Sequence, residues 1–285
     1  MLVSAAASRG RRKTLKWLLK RGIEFDSRAC SSAASRGYLK TLQWLRSKGC
    51  PWSEETLVLA ALNEYWDIFE WILSNNPPNM SKQARKIVML KAAKTGNISA
   101  VSTYSLANKK IKDSETQTAM CKAAIKKGQL DTLKYLLQSG YKMPSTVCKD
   151  AAAGGHLHIL QYARSLGYDW DEEVLVEAAI WEKWDVLEWA VANGCPWNSN
   201  VCSQAAYFGC FKVLKWLRKK GCPWDAKTCA RTVQGGYLDI LKWLKSEGCP
   251  WDARVCSVAL EREDLKILLW AIENGCPVTP ERQRD

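Results

Sequence analysis

Histidine is almost missing from this sequence, which has only His156 and His158 among its 285 residues. Most histidine-dependent acid–base and metal chemistry is therefore excluded. Cys-x-x-Cys pairs, Gly-rich phosphate loops and Gly-x-Ser-x-Gly motifs are also missing, so the sequence predicts a protein that is not an enzyme and has no metal or cofactor. The longest uncharged stretch, residues 189–211, contains Gly194 and Pro196, which excludes a membrane span there.

We also expect no secretory leader, because the basic residues of the N-terminus follow its short Ala/Ser stretch instead of preceding it. Twelve cysteines in a chain of this length are not typical of a small secreted disulfide protein. Both observations favour a cytoplasmic or other intracellular, reducing location.

Charge is abundant and unevenly distributed, with a net charge of +13. Residues 1–50 and 81–149 are strongly basic, whereas residues 51–80 and 150–200 are acidic. A nucleic-acid groove favours one continuous basic stripe. Alternating blocks favour a protein partner of complementary charge, or a second copy of the chain.

An internal repeat organises the chain, because similar segments return at a constant interval. The segment LKWLRKKGCPWDAKTC from Leu214 returns as LKWLKSEGCPWDARVC from Leu241. One aromatic slot recurs with the same interval at Trp17, Trp44 and Trp71, and again at Tyr135, Tyr162, Trp189, Trp216, Trp243 and Trp270. Trp71 and Tyr135 are separated by two longer steps, with Thr103 at the midpoint. The sequence therefore predicts ten repeats.

The residue pattern within each repeat predicts two short helices. Asp or Asn stands where the first helix needs an N-cap, at Asp171, Asn198, Asp225 and Asp252. In the second helix Leu238, Leu241 and Leu244 recur along one face, and Gly248 ends it. Helices this short are marginal alone. We therefore expect residues 1–285 to form a single all-α solenoid of stacked hairpins.

The repeated pattern AA-x-x-G-x-L-x-x-L-x-W-L-x-x-x-G resembles ankyrin repeats, most clearly in AAAGGHLHILQYARSLG at residues 151–167. The usual ankyrin period is about 33 residues, which is longer than the interval here, and its Thr-Pro-Leu-His opening is absent. GCPWD replaces the β-hairpin finger, so we expect short turns with little or no β structure. Longer fingers are expected only near residues 76–85 and 108–116. The GCPWD variety is similar to arrays of large DNA viruses, unicellular eukaryotes and algae.

The resemblance implies a non-catalytic protein–protein interaction scaffold whose partner meets the concave first-helix surface. Positions that break the repeat pattern on that surface are the predicted partner-binding residues: Ile180, Trp181, Tyr207, Phe208, Lys122, Lys126, Lys127, Lys149, Glu173 and Glu177. Two alternatives remain open. Basic blocks 1–50 and 81–149 favour a nucleic-acid-associated scaffold, and a ubiquitin-pathway substrate adaptor would need a further motif outside the repeats.

Cysteine and tryptophan occupy fixed repeat slots, which is typical of packing positions. We therefore predict buried structural cysteines, with Cys210, which is out of register, as the most exposed thiol. The periodic tryptophans predict a packed spine between repeats in preference to a nucleobase-stacking ladder. The first and last repeats lack polar caps. We therefore expect either that partners cover the terminal repeats, with self-association as one such contact, or that the chain is part of a longer array.

Overall fold

The computed structural model describes residues 2–107 and 113–278. For residues 103–107 it describes the backbone only. These residues form twenty α-helices and no β-strand. They group into two compact units, Met1–Pro144 and Ser145–Asp285. The predicted all-α array of helical hairpins is confirmed, while the single solenoid over residues 1–285 stays a prediction.

Each unit contains five helical hairpins. The first unit comprises α1 (Leu2–Ala7), α2 (Arg12–Lys20), α3 (Ser27–Ala34), α4 (Leu39–Ser47), α5 (Glu54–Leu62), α6 (Trp66–Ser74), α7 (Lys82–Thr95), α8 (Ile98–Ala107), α9 (Ser114–Lys126) and α10 (Leu130–Gln138). The second comprises α11 (Val147–Gly154), α12 (Leu157–Ser165), α13 (Glu172–Ile180), α14 (Trp184–Ala192), α15 (Ser199–Tyr207), α16 (Phe211–Lys219), α17 (Ala226–Gly235), α18 (Leu238–Ser246), α19 (Arg254–Glu261) and α20 (Leu265–Glu273).

The predicted caps start the first helices. Asp171 accepts a hydrogen bond from the backbone N–H of Glu173 at 3.1 Å, and Asn198 and Asp225 cap α15 and α17 in the same way. At α19 the prediction is wrong by one residue, because Ala253 is the N-cap, although Asp252 still accepts a hydrogen bond from the backbone N–H of Arg254 at 3.0 Å. Such a cap stabilises a helix by about 1 kcal/mol.

Small side chains allow neighbouring first helices to approach each other closely. Cys202, Ala205 and Ala206 are fully buried where α15 packs between α13 and α17. Ser203 and Thr228, also buried, join their hydroxyls across α15 and α17 at 3.1 Å. The exposed faces of these helices are thereby held side by side.

In the second helices the core face differs from the predicted one. Ile240, Leu241 and Leu244 are the buried residues of α18, whereas Leu238 is only half-buried. The α-helical period of 3.6 residues places positions 240, 241 and 244 on one face, and Leu238 lies at the first turn, outside it.

The expected longer finger near residues 76–85 is wrong. Residues 75–81 form no strand, and α7 begins at Lys82. The additional residues lengthen the helix, so that α7 has 14 residues against nine in α13. In the second long junction, residues 108–112 lie outside the described part of the chain, and α9, with 13 residues, is again long.

All twelve cysteines are free and buried, which confirms the predicted burial of these slots. The prediction for Cys210 is wrong, because its side chain is only 5% exposed. Cys210 lies at the start of α16, and its Sγ is 3.6 Å from the backbone oxygen of Ile180 in the preceding hairpin. That contact across the repeats covers the thiol.

Candidate interaction surface

Two aromatic side chains protrude where first helices end. Trp181 follows α13 and Phe208 follows α15, and they are 59% and 47% exposed. Their neighbours Ile180 and Tyr207 are half-buried. Because α13 packs on α15, the four predicted residues lie at equivalent ends of two adjacent helices.

The aromatic pair on α15 is held rigidly. The rings of Tyr207 and Phe208 are nearly perpendicular, with centroids 4.9 Å apart. The guanidinium of Arg231 from α17 lies 5.1 Å from the Tyr207 ring centroid and donates to Gln234 Oε1 at 2.7 Å. A cation above an aromatic face is stabilising. Three consecutive first helices thus contribute to one surface.

Sequence reasoning missed Arg231. It occupies the repeat slot that Glu177 and Gln204 fill in the two preceding repeats. Glu177 was selected because this slot varies, so the same criterion applied one repeat further would have found Arg231. Its contact with Tyr207, in contrast, depends on how neighbouring helices stack.

An ion-pair network joins the predicted charged residues of this surface. Lys149 from α11 lies 2.9 Å from Glu173 Oε2 and 3.6 Å from Glu177 Oε1 of α13. The hydrogen bond to Glu173 raises the pKa of Lys149. Glu177 also accepts from the indole Nε1 of Trp181 at 3.2 Å, which orients the exposed ring. Lys149, Glu173, Glu177 and Trp181 are therefore brought together.

The other predicted lysines belong to the first compact unit. Lys122, Lys126 and Lys127 are at the end of α9 in the first unit, whereas Lys149 begins the network of the second unit. Lys126 and Lys127 are exposed and Lys122 is half-buried. Lys122, Lys126 and Lys127 thus belong to the first compact unit and Lys149 to the second.

The tryptophans of the turns and second helices form a packed spine, as predicted. Trp224 meets Trp243 edge to face at 5.8 Å, and the guanidinium of Arg218 from the preceding hairpin lies 4.2 Å above Trp224. The same arrangement recurs at Trp52–Trp71 with Arg46, Trp170–Trp189 with Arg164, and Trp251–Trp270 with Lys245. Ring faces already covered by cations do not offer a platform for bases.

The second helix of the last hairpin has an exposed apolar stripe. Leu265, Leu269 and Ile272 of α20 are 65%, 59% and 47% exposed. Lys242 and Lys245 hold the equivalents of the last two positions in the preceding hairpin. The stripe is therefore particular to α20.

Metal-binding and membrane-spanning features do not occur in the described residues. No group of three or more His, Cys, Asp and Glu side chains there is arranged to hold a metal ion. Within the same residues, every helix is too short or too polar to cross a membrane.

Comparison with known proteins finds similarity to ankyrin repeats in part of the chain. Residues 57–146 match the family model of ankyrin repeats, in three copies. The crystal structure of the human ASB11 ankyrin repeat domain is similar to 69% of this chain and 99% of its own, with a TM-score of 0.53 and 17% identity. The resemblance to ankyrin repeats is thereby confirmed. Ankyrin repeats generally serve as protein–protein interaction scaffolds.

Other helical repeat proteins are more distantly similar. The maize pentatricopeptide repeat protein PPR10 matches 99% of this chain and 49% of its own length, with 13% identity and a TM-score of 0.41. The same protein in complex with an 18-nt psaJ RNA element gives a TM-score of 0.33 at 12% identity, over 92% of this chain and 47% of that one. No curated protein matches the sequence.

Proposed function

We propose that the protein is a non-catalytic scaffold that binds a protein partner through the first-helix ends of α13, α15 and α17. The observation that carries the proposal is the exposure of Trp181 and Phe208 at adjacent helix ends, each fixed by polar or aromatic neighbours. Exposed aromatic side chains on a rigid base are typical of binding hot spots. Contiguous exposed apolar side chains, in contrast to single scattered ones, mark interaction sites.

The charge around this surface indicates the chemistry of the partner. Residues 150–200 contain nine acidic and two basic side chains. Glu182 beside Trp181 is exposed, while Lys149 neutralises part of the charge of Glu173 and Glu177. A segment that offers apolar side chains to Trp181 and Phe208 and lysine or arginine to the acidic rim fits this surface.

A peptide selection tests the proposal. A random-sequence phage-displayed peptide library is selected on the full chain, and the affinity of the enriched peptides is measured by fluorescence anisotropy. We expect peptides that combine apolar and basic residues. Trp181→Ala should weaken them about 30-fold, equivalent to about 2 kcal/mol for a hot-spot residue.

Trp17→Ala is the matched control, because Trp17 is 53% exposed but lies on α2 in the first unit. We expect this variant to bind the peptides as the unmodified chain does. An equal loss of peptide affinity in both variants, or no loss in either, would refute the proposal that the partner binds at the ends of α13 and α15.

Nucleic acid is the alternative partner, and the same samples distinguish it. Binding of duplex or single-stranded nucleic acid that falls steeply with salt and depends on Lys122, Lys126 and Lys127 would replace the peptide proposal, because counterion release scales with phosphate contacts. The packed tryptophan spine argues against base stacking.

We also propose that the protein is intracellular and that it contacts a second copy of itself. Twelve free, buried cysteines support a reducing intracellular compartment. The exposed stripe of Leu265, Leu269 and Ile272 supports contact with a second copy of the chain. The molar mass of the full chain in solution, measured by light scattering, shows whether two copies associate.

A further inference from the structure

Eight of the twelve cysteines stand in pairs within single hairpins. One member lies on the first helix, and the other follows the second helix, always at the same sequence separation. The pairs are Cys30 with Cys50, Cys202 with Cys222, Cys229 with Cys249, and Cys256 with Cys276. Because the two helices of a hairpin are antiparallel, the start of the first and the end of the second are neighbours.

In the first of these pairs the two thiols are in contact. Sγ of Cys30 and Sγ of Cys50 are 3.4 Å apart, and both side chains are at most 2% exposed. Cys202 with Cys222 and Cys229 with Cys249 occupy the same two slots, and the partner thiol is the main cause that raises the pKa of Cys202 and of Cys249. The short Sγ–Sγ separation allows an S–S bond to form after a small side-chain rotation.

The turn cysteine is held in place by the start of the first helix. Cys50 Sγ lies 3.3 Å from the backbone oxygen of Asp26, and Cys222 Sγ lies 3.7 Å from that of Asn198. Cys249 and Cys276 repeat this contact at 3.6 and 3.5 Å. The pairs are therefore preorganised by the hairpin and do not depend on neighbouring repeats.

We propose that these four pairs are sites of reversible dithiol–disulfide modification by a low-molecular-weight disulfide. One thiolate attacks the small disulfide, forms a mixed disulfide and releases one small thiol. The second cysteine, as a thiolate, then attacks Sγ of the first cysteine, which forms the Sγ–Sγ bond, breaks the bond to the small molecule and releases the other small thiol. Each pair loses two protons and two electrons, and the small disulfide is reduced to two thiols.

The surroundings indicate which thiol reacts first in two of the hairpins. The hydrogen bond from Cys30 lowers the pKa of Cys50, and the Arg46 guanidinium contributes in the same direction. Cys202 and Arg218 act likewise on Cys222. The turn thiolates of these two pairs are therefore the expected attacking groups.

The chain supplies matched controls for the pairing. Cys121 and Cys148 occupy the first-helix slot, but Tyr141 and Tyr168 stand in the turn slots of their hairpins. Cys195 occupies the turn slot, and Leu175 fills the first-helix slot of the same hairpin. These cysteines share the burial of the paired ones and lack a cysteine partner within their hairpin.

The test is disulfide mapping of the folded full chain after incubation with oxidised glutathione. Remaining thiols are alkylated, and tryptic peptides are identified by mass spectrometry. We expect links at 30–50, 202–222, 229–249 and 256–276, reversed by dithiothreitol, with Cys121, Cys148, Cys195 and Cys210 alkylated. The Cys30→Ser variant should lose only the 30–50 link.

Three results would overturn the proposal. The first is equal alkylation of paired and control cysteines. The second is a set of links that join different hairpins. The third is links that form only after urea has removed the helical circular dichroism signal. Because all three are read from the unmodified chain, the test does not depend on the folding of any variant.

Discussion

Single buried cysteines link the stability of this protein to pH. Cys121 on α9 is fully buried, and this burial raises the pKa of its thiol to about 11. In the unfolded chain the thiol ionises near its ordinary pKa of 9.0. The contribution of Cys121 to stability is therefore fully present below pH 9.0 and is lost as the pH rises toward 11.

We predict that Cys121→Ala flattens the alkaline loss of stability. Between neutral pH and about pH 10.5, the unmodified chain should lose about 2 kcal/mol more free energy of unfolding than the variant. Urea denaturation of both proteins at the two pH values measures the difference. Equal losses would show that the thiol ionises as readily in the folded chain as in the unfolded one.

The residue-scale predictions from sequence succeeded where the repeat itself carries the information. Burial of Cys202 and Cys229 follows from their fixed slot between small residues. Burial of Cys210 does not, because it depends on the carbonyl of Ile180 in a neighbouring hairpin. The cysteine pairs could not be predicted from sequence for a similar reason. Two cysteines so far apart in sequence come into contact only when the hairpin forms.

At the scale of the helical hairpin, the residue in the turn between the two helices, here called the tip, determines whether the backbone is strained. Gly155, Gly209 and Gly236 occupy the tip with φ of 73°, 73° and 84°. In the hairpin that carries Trp181 the same position is Glu182, with φ of 49°. A side chain with a Cβ is strained in this left-handed region.

We predict that Glu182→Gly raises the free energy of unfolding by about 0.5–1 kcal/mol, because glycine adopts positive φ without steric cost. Glu188→Gly is the control, since Glu188 lies in the interior of α14. There the same substitution should lower stability by about 1 kcal/mol. Thermal denaturation of both variants measures the two signs, and a loss in both would contradict strain at the tip.

Element boundaries could be predicted from sequence wherever a cap or glycine marks them. Asp171 and Asp225 start their helices as expected, and Gly248 follows the end of α18 with φ of 77°. The extra residues of the fourth repeat were assigned to a finger, but α7 absorbs them. Its sequence, KQARKIVMLKAAKT, is rich in strong helix formers, which favours extension of the helix over a hairpin.

At the scale of the whole molecule, the interaction surface arises from departures of individual repeats from the pattern. Trp181 and Phe208 could be found from sequence because their slots are otherwise polar or glycine. The Lys149–Glu173–Glu177 network and the Arg231–Tyr207 contact required the stacking of neighbouring first helices. Periodicity predicts which residues are in core slots, and spatial packing determines how the exposed ones combine.

Hydrogen–deuterium exchange of the full chain, with and without a selected peptide, tests the proposed surface most directly. We predict slower exchange of amides 177–181 and 204–208, at the ends of α13 and α15, since peptide binding restrains these turns. Exchange in α9 should not change. Protection confined to α9 around Lys122 and Lys127, with residues 177–208 unaffected, would contradict the proposed interaction surface.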